Sequence, residues 1–457
     1  MVGMLGSPRT GRIDAGARAP FGWTPLVVLF VVGLVDRIEH NLLAGVLPLV
    51  QAEWGFSDIA AGSIPTAAAL AGAIVAIPAG YLADRHSRTR IITVVVAIWA
   101  IATLGTGLAT GFVMFYAMRV LLAAAENIDN PAAGSLLADY YPPVSRAKAY
   151  GLTRVTTYLG GVGTLLGGVL GQAFGWREAF YIMVVPGLLT ALLVWMLREP
   201  PRGELDRLVA TGSDPKAGTA DGIIAAEPLP AAAPGTVPTT DKVPFGTQFR
   251  QVITIPTLIF VCVGLGLLTL GLAGIFYWLP SLMVRVFGLG AAAAGSLTGL
   301  ITIAGTLTGT LVGSWLGRKW HGTRKGGRLL AGGGGITIGA IILAVALSTG
   351  SPAGLTILTL LACAFMSIAI PNMTASLADV VPAGARGLGF AVLQLLITGC
   401  GAFGSLVVGI VSEATGSLLT GMFILVIPMI VGGLLTLGAR ASFERDAEKV
   451  MAQARRS

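Results

Sequence analysis

The string LLADYYPPVSRA, residues 136–147, returns 240 residues later as SLADVVPAGARG, residues 376–387. In register at that offset are Pro131 with Pro371, Leu137 with Leu377, Asp139 with Asp379, Pro142 with Pro382 and Arg146 with Arg386. A long-period repeat means one supersecondary unit used twice. The chain around both copies is apolar over lengths that cross a bilayer, so the repeat predicts two parallel halves built from membrane helices.

Composition agrees with that reading. Of the 457 residues, 54% are hydrophobic and 11% charged, against about a quarter charged in a soluble domain. Twelve candidate spans begin near Trp23, Asp58, Ile91, Phe112, Arg146, Trp176, Gln251, Gly290, Gly327, Pro352, Arg386 and Ser417. The expected fold is an all-α membrane protein with twelve transmembrane helices in two pseudo-symmetric six-helix bundles. The predicted organisation is an N-tail over 1–22, a first bundle over 23–197, a linker over 198–250, a second bundle over 251–440 and a C-tail over 441–457. The linker is rich in Ala, Pro, Gly and Thr, a composition that buries no core, and is expected to be flexible.

Positive charge sets the orientation, because short loops rich in Lys and Arg stay in the cytoplasm. With the N-terminus inside, 25 of the 30 Lys and Arg residues fall in cytoplasmic segments. Arg177 and Arg285 fall outside, and Arg37, Arg119 and Arg154 fall within spans. Both termini are therefore expected in the cytoplasm, with the chain in the plasma (inner) membrane and the first helix uncleaved. The net charge of +8 is spread over loops on one side, which points to topogenesis and anionic lipid headgroups rather than nucleic acid. Cys262, Cys363 and Cys400 all fall in predicted spans, so no disulfide or metal site is expected, and no cofactor. The absence of G-x-x-x-x-G-K-[ST] argues against an ATP-driven pump. Gly is abundant, and GGVGTLLGGVLG over 160–171 predicts close helix contact.

Between the second and third predicted spans stands GYLADRHSRTR, with Gly80, Asp84, Arg85, Arg88 and Arg90. A carboxylate at a helix end accepts bonds from arginines and from a neighbouring helix N-terminus, which suits a latch on the cytoplasmic side. This loop resembles the signature of the major facilitator superfamily. The second half carries a weaker copy, GSWLGRKWHGTRKGGR, where Gly313 matches Gly80 and Arg318 matches Arg85 but Gly317 replaces the aspartate. The gate set implied by the resemblance is Gly80, Asp84, Arg85, Arg88, Asp139, Arg146, Arg318, Asp379 and Arg386. Three further stretches resemble the Spinster group of lipid-related transporters: AGVLP over 44–48, the spacing of Arg119 to Glu126, and REPPRGE over 198–204. That group commonly carries an Asp-Arg pair nine residues before the proline of AGVLP. Here the position holds Glu39 and His40, with Asp36 and Arg37 three residues earlier.

A charge at the bilayer centre costs about 3 kcal/mol even on the lenient insertion scale, so such residues are paired or functional. The first half concentrates them: Asp36, Arg37, Glu39 and His40 in helix 1, Arg119, Glu126 and Asp129 in helix 4, Arg154 in helix 5. Met366 stands at the repeat position of Glu126 and Leu268 near that of Asp36. Asp36, Glu39 and His40 are expected to share a helical face, as are Arg119, Glu126 and Asp129. Together these residues are the candidate proton-coupling and headgroup site, with Glu126 and either Asp36 or Glu39 exchanging a proton as Arg37, Arg119 or Arg154 moves. Static ion pairing is the alternative. A charged wall facing Phe276, Tyr277, Trp278, Leu300, Met366 and Phe390 suits an amphipathic solute.

The expected activity is secondary active transport, by alternating access and coupled to protons, of a lysophospholipid or related lipid-like molecule by a monomer. A multidrug antiporter is the runner-up. An intramembrane enzyme is disfavoured by the absence of H-E-x-x-H and G-x-S-x-G.

Overall fold

The computed structural model describes residues 19–203, 245–382 and 385–454. In the first half the helices are α1 (Thr24–Trp54), α2 (Asp58–Arg85), α3 (Arg88–Gly107), α4 (Phe112–Tyr140), α5 (Pro143–Tyr158), α6 (Gly161–Phe174) and α7 (Trp176–Trp195). A short α8 (Phe245–Ile253) precedes the second half. There α9 (Pro256–Phe287), α10 (Ala291–Trp320), α11 (Gly327–Ser348), α12 (Pro352–Ser367), α13 (Ala369–Val380), α14 (Arg386–Thr415), α15 (Leu418–Ile424), α16 (Val426–Gly438) and α17 (Arg440–Ala454) follow. The pairs α5–α6, α12–α13 and α15–α16 are each one membrane segment with a break. Among the described residues this makes twelve long helical segments, six in each half, matching the twelve spans expected.

Among the described residues, nine of these spans are long and apolar enough to cross a membrane on composition alone. The three that are not, α1, α4 and α5–α6, carry all eight of the charged or titratable residues singled out for the site. Hydropathy weakens where polar side chains line an interior, as expected of intramembrane ionisable groups.

The two halves share their punctuation. Gly55 closes α1 at φ 61° and Gly288 closes α9 at φ 67°, a left-handed cap that a side chain disfavours. These glycines lie 233 residues apart, whereas the LADxxP copies lie 240 apart. Most of the difference arises around the α10–α11 connection, where six residues replace the two between α2 and α3 and α10 is 30 residues long against 28 in α2.

The described residues of both polar segments pack against the bundles. The linker was expected to start at 198, yet Glu199 and Pro200 are bonded to α3 and Gly203 to α4, and 245–250 belong to α8. The expected C-tail forms α17, whose Asp446 accepts from the Thr257 backbone N–H at 3.3 Å and from its hydroxyl at 2.8 Å, capping α9. Residues 1–18, 204–244, 383–384 and 455–457 lie outside the described residues.

The halves meet along two seams of small residues. On α6 and α10, a Cβ added to Gly161 would lie 2.5 Å from the Gly299 carbonyl oxygen, and one on Gly295 would lie 2.7 Å from that of Thr164. On α2 and α14, Gly62 and Gly409 face Ser405 and Asp58 backbone in the same way. Only glycine allows this approach, so the glycine-rich run does form the close contact expected of it.

Candidate functional site

The eight residues of the candidate site divide into three groups. Helix α1 supplies two consecutive turns of polar side chains, and adjacent residues on a helix diverge by about 100°, so neighbours point to different surroundings. Glu39 turns towards α3 and α4. Its Oε1 accepts from Arg119 Nη1 at 2.6 Å and its Oε2 from Trp99 Nε1 at 3.4 Å. Both charges are buried, Glu39 completely, and the Arg119 guanidinium lies 5.7 Å from the Phe180 ring centroid. This is a buried, hydrogen-bonded ion pair of the kind that fixes packing.

His40 turns the other way. Its Nδ1 lies 3.2 Å from Glu126 Oε2, with the imidazole half exposed and the carboxylate almost buried. The third group surrounds a cavity of about 180 Å³ between α1, α4 and α5, lined by Asp36, Arg37, Asp129, Tyr150, Thr153 and Arg154. Arg37 Nε lies 3.5 Å from Asp36 Oδ2, and the Tyr150 hydroxyl donates to the Gly134 carbonyl at 2.6 Å. Arg154 is exposed to the cavity. The expected shared face of Asp36, Glu39 and His40 is thus resolved into three environments. Arg119 and Glu126, on one face of α4, meet consecutive residues of α1.

A larger central cavity of about 330 Å³ lies between the halves. Its first-half wall carries a polar patch of His40, Asn41, Arg119 and Thr164 beside the apolar Leu43, Ile64 and Leu122, and its second-half wall carries Leu272, Phe276 and Tyr277. The Asn41 amide donates to the Arg37 carbonyl at 2.8 Å and the Asn41 carbonyl accepts from Thr164 at 3.2 Å, so this polar patch is pre-organised. Of the residues expected on the apolar wall, Phe276 and Tyr277 are there. Trp278 is wholly buried and donates to the Ser405 carbonyl at 2.9 Å. Met366 is buried against Gly339 of α11. Among the described residues, no three His, Cys, Asp or Glu side chains are placed to hold a metal ion.

At the end of the molecule bearing the α2–α3 loop, Arg88 is completely buried. It donates from Nε to Glu199 at 2.8 Å, from Nη2 to the Pro200 carbonyl at 2.8 Å, and from Nη1 to Ser135 and to Asp139. Glu199 also accepts the Thr89 backbone N–H at 2.8 Å at the start of α3. Burial pushes the Glu199 carboxyl up, but the Thr89 N–H and the Arg88 guanidinium outweigh it and hold the group below its usual range. Arg146 donates to the carbonyls of Ala138 and Tyr141, capping the end of α4. Arg85 is exposed at the end of α2. Gly80 and Asp84 fall in the last turns of α2, and their side-chain surroundings lie outside the described residues.

In the second half, Asp379 is held by Arg328. Arg318 and Arg386 are exposed. Arg328 and Asp379 stand 240 residues after Arg88 and Asp139, so the ion pair expected to act as a latch is duplicated, on an arginine that loop matching at Arg318 passes over. The 240-residue register of the LADxxP copies leads directly to it.

A family model describing the Major Facilitator Superfamily matches residues 29–405. The cis,cis-muconate transport protein of Acinetobacter baylyi is 31% identical over 180 residues, which are 39% of this chain and 44% of that protein. Protein spinster homolog 1 of Xenopus laevis is 29% identical over 187 residues, 40% of this chain and 36% of that protein. The chain thus matches less than half the length of these two relatives. A crystal structure of a bacterial homologue of the human lysosomal transporter Spinster, inward-facing and unoccupied, superposes with a TM-score of 0.78 at 23% identity, covering 92% of this chain and 97% of that one.

Proposed function

The chain belongs to the major facilitator superfamily and resembles its Spinster members, and from that premise we propose that it is a proton-coupled secondary transporter of an amphipathic, lipid-like solute. The observation that carries this reading is the central cavity, in which a polar patch of His40, Asn41, Arg119 and Thr164 on the first-half wall is set among apolar residues such as Leu43, Ile64, Leu122, Leu272 and Phe276. A solute with a charged or polar head and a greasy body satisfies both, whereas a small hydrophilic solute leaves the apolar residues uncompensated. Arg154, at the adjoining smaller cavity, is the cation best placed for an anionic group, because Arg119 is committed to Glu39.

Charge balance supports proton coupling. The site holds four carboxyl groups, Asp36, Glu39, Glu126 and Asp129, against three arginines, Arg37, Arg119 and Arg154. In a low-dielectric interior the remaining charge is compensated by a proton on a carboxyl group or on His40, or by the solute itself. Exchange of that proton for solute is the coupling step. The loops rich in Lys and Arg support a reading in which the α2–α3 end and both termini face the cytoplasm of an inner membrane, and a monomer is part of the same proposal.

A second reading, a dienoic or aromatic carboxylate as solute, is favoured by the muconate transport relative. Thermal shift of the purified protein with lysophospholipid, muconate and cationic drugs, followed by counterflow of the stabilising compound in proteoliposomes, distinguishes them. Stabilisation and counterflow with lysophospholipid are expected. A response to muconate alone selects the second reading, and one to cationic drugs alone overturns both.

A further inference from the structure

The repeat that duplicates the Arg88–Asp139 pair does not duplicate its surroundings. Arg88 is bonded to Asp139, Ser135, Glu199 and the Pro200 carbonyl, and its side chain is fully enclosed. At the 240-residue offset Arg328 and Asp379 remain, whereas Ala375 stands for Ser135 and Ala439 for Glu199. Among the described residues Arg328 hydrogen-bonds to Asp379 alone. A guanidinium carries five N–H donors in a rigid fork, so the second half keeps the donors and lacks the second carboxylate that engages them in the first.

Open space takes the place of that carboxylate. A cavity of about 720 Å³ lies beside Arg328, between the α10–α11 connection, the end of α13, the start of α14 and α17, within the range of about 300–1,000 Å³ usual for small-molecule sites. His321, Arg324, Lys325 and Arg386 line it together with Arg328. Phe443, Ala447 and Val450, spaced four and three apart on one face of α17, give it an apolar wall. Three carboxylates also border it: Asp379, Glu444 and Glu448. Asp379 is held by Arg328, and Glu444 accepts the Gly326 backbone N–H at 2.9 Å, fastening α17 to the connection. Arg440 fastens it again, donating to the Lys325 carbonyl at 3.0 Å. Two of the three carboxylates are thus engaged, which leaves Glu448 facing Arg324, Lys325 and Arg386. Helix α11 begins at Gly327 on the same cavity, so the positive end of its dipole adds to the field. Among the described residues, none lines both this cavity and the central one.

We infer that this cavity binds a phosphate-bearing anion, whose phosphoryl oxygens serve Arg328 as Glu199 serves Arg88, with Lys325 and Arg386 balancing the remaining charge and the apolar face of α17 taking the carbon skeleton beside the phosphate. The headgroup of an anionic phospholipid and a soluble phosphate ester both offer this chemistry. The inference does not depend on what the central cavity carries.

The full-length protein, delipidated in neutral detergent at fixed ionic strength, is titrated separately with phosphatidylglycerol in mixed micelles, with glycerol 1-phosphate, and with phosphatidylcholine, whose ammonium cancels the phosphate charge. The unfolding midpoint is the readout. A saturable rise with phosphatidylglycerol, glycerol 1-phosphate or both is expected, and none with phosphatidylcholine. A response to the first alone identifies a lipid headgroup, to the second alone a soluble ester, and to both a site that reads the phosphate itself. Lys325→Gln and Arg386→Gln are each expected to raise the half-saturating concentration about tenfold, the loss of one charge-assisted hydrogen bond. Glu448→Gln is expected to lower it, a result that a misfolded variant cannot give. Arg318→Gln, an exposed charge outside the cavity, is expected to leave it unchanged. No saturable rise with either anion, an equal response to phosphatidylcholine, or an equal weakening in Arg318→Gln and Arg386→Gln overturns the site.

Discussion

His40 faces Glu126 across 3.2 Å at the edge of the central cavity, while Glu39, its neighbour in the chain, is buried against Arg119 at 2.6 Å. About 100° of rotation around α1 thus separates a pair whose histidine faces the cavity from a sealed pair, buried in the bundle with only Arg119 reaching the cavity edge. The sealed pair suits a structural role and the open pair suits exchange.

Removing one partner of the sealed pair leaves an uncompensated buried charge. Arg119→Met or Glu39→Leu alone is expected to destabilise the protein by about 3–5 kcal/mol, read as a fall in thermal unfolding midpoint. The double variant recovers most of that loss, because two apolar side chains of similar size bury no charge. Equal losses in the single and double variants contradict the static role of this pair.

The two latches are unequal. Arg88 is fully enclosed and bonded to Glu199 and Asp139, so Arg88→Ala is expected to cost about 3 kcal/mol or more. Arg328, with a side chain 22% exposed, is expected to cost about 1 kcal/mol. Arg318→Ala is expected to change nothing. Unfolding midpoints of the three variants check the order.

Glu199 gives the latch a pH dependence of definite sign. Its carboxyl is held below the usual range in the folded protein, so its contribution is fully present above the unfolded carboxylate range and is lost as pH falls through the folded value. Glu199→Gln is therefore expected to lower the unfolding midpoint at neutral pH, and the difference from the parent to shrink as the pH is lowered through the acid range below 4.5. A difference that grows on acidification contradicts this assignment.

The glycine seam admits no side chain. Gly295→Val places carbon against the Thr164 carbonyl across the α6–α10 contact, a clash costing about 1–3 kcal/mol if the helices shift to accommodate it. Lower thermal stability and loss of counterflow are expected. Gly334→Val, where a Cβ meets nothing within 4 Å, is the control that keeps both.

Much of the fold was legible because it rests on local composition and an exact period. Long apolar runs give spans, and the LADxxP copies give two halves. The site was legible as a set of residues, since ionisable groups inside spans stand out in any sequence. Its division was not: helical periodicity gives directions around α1, but whether Glu39 meets Arg119 or Glu126 depends on how α3 and α4 pack. Arg328 could have been found by adding 240 to Arg88, and was hidden by the longer α10–α11 connection. The ion pair between Asp58 of α2 and Arg285 of α9 joins residues 227 apart, with no sequence pattern linking them, and exists only because the halves meet there. Met366 at the repeat position of Glu126 keeps its significance: it is buried packing in one half where the other has a carboxylate in contact with the cavity-lining His40.

The most direct test is solute-driven proton flux in proteoliposomes made with the parent and with Glu126→Gln. The expected result is that the parent moves protons with its solute and the variant binds or exchanges solute without moving them. Proton flux that survives unchanged in Glu126→Gln would contradict the assignment of coupling to the His40–Glu126 pair.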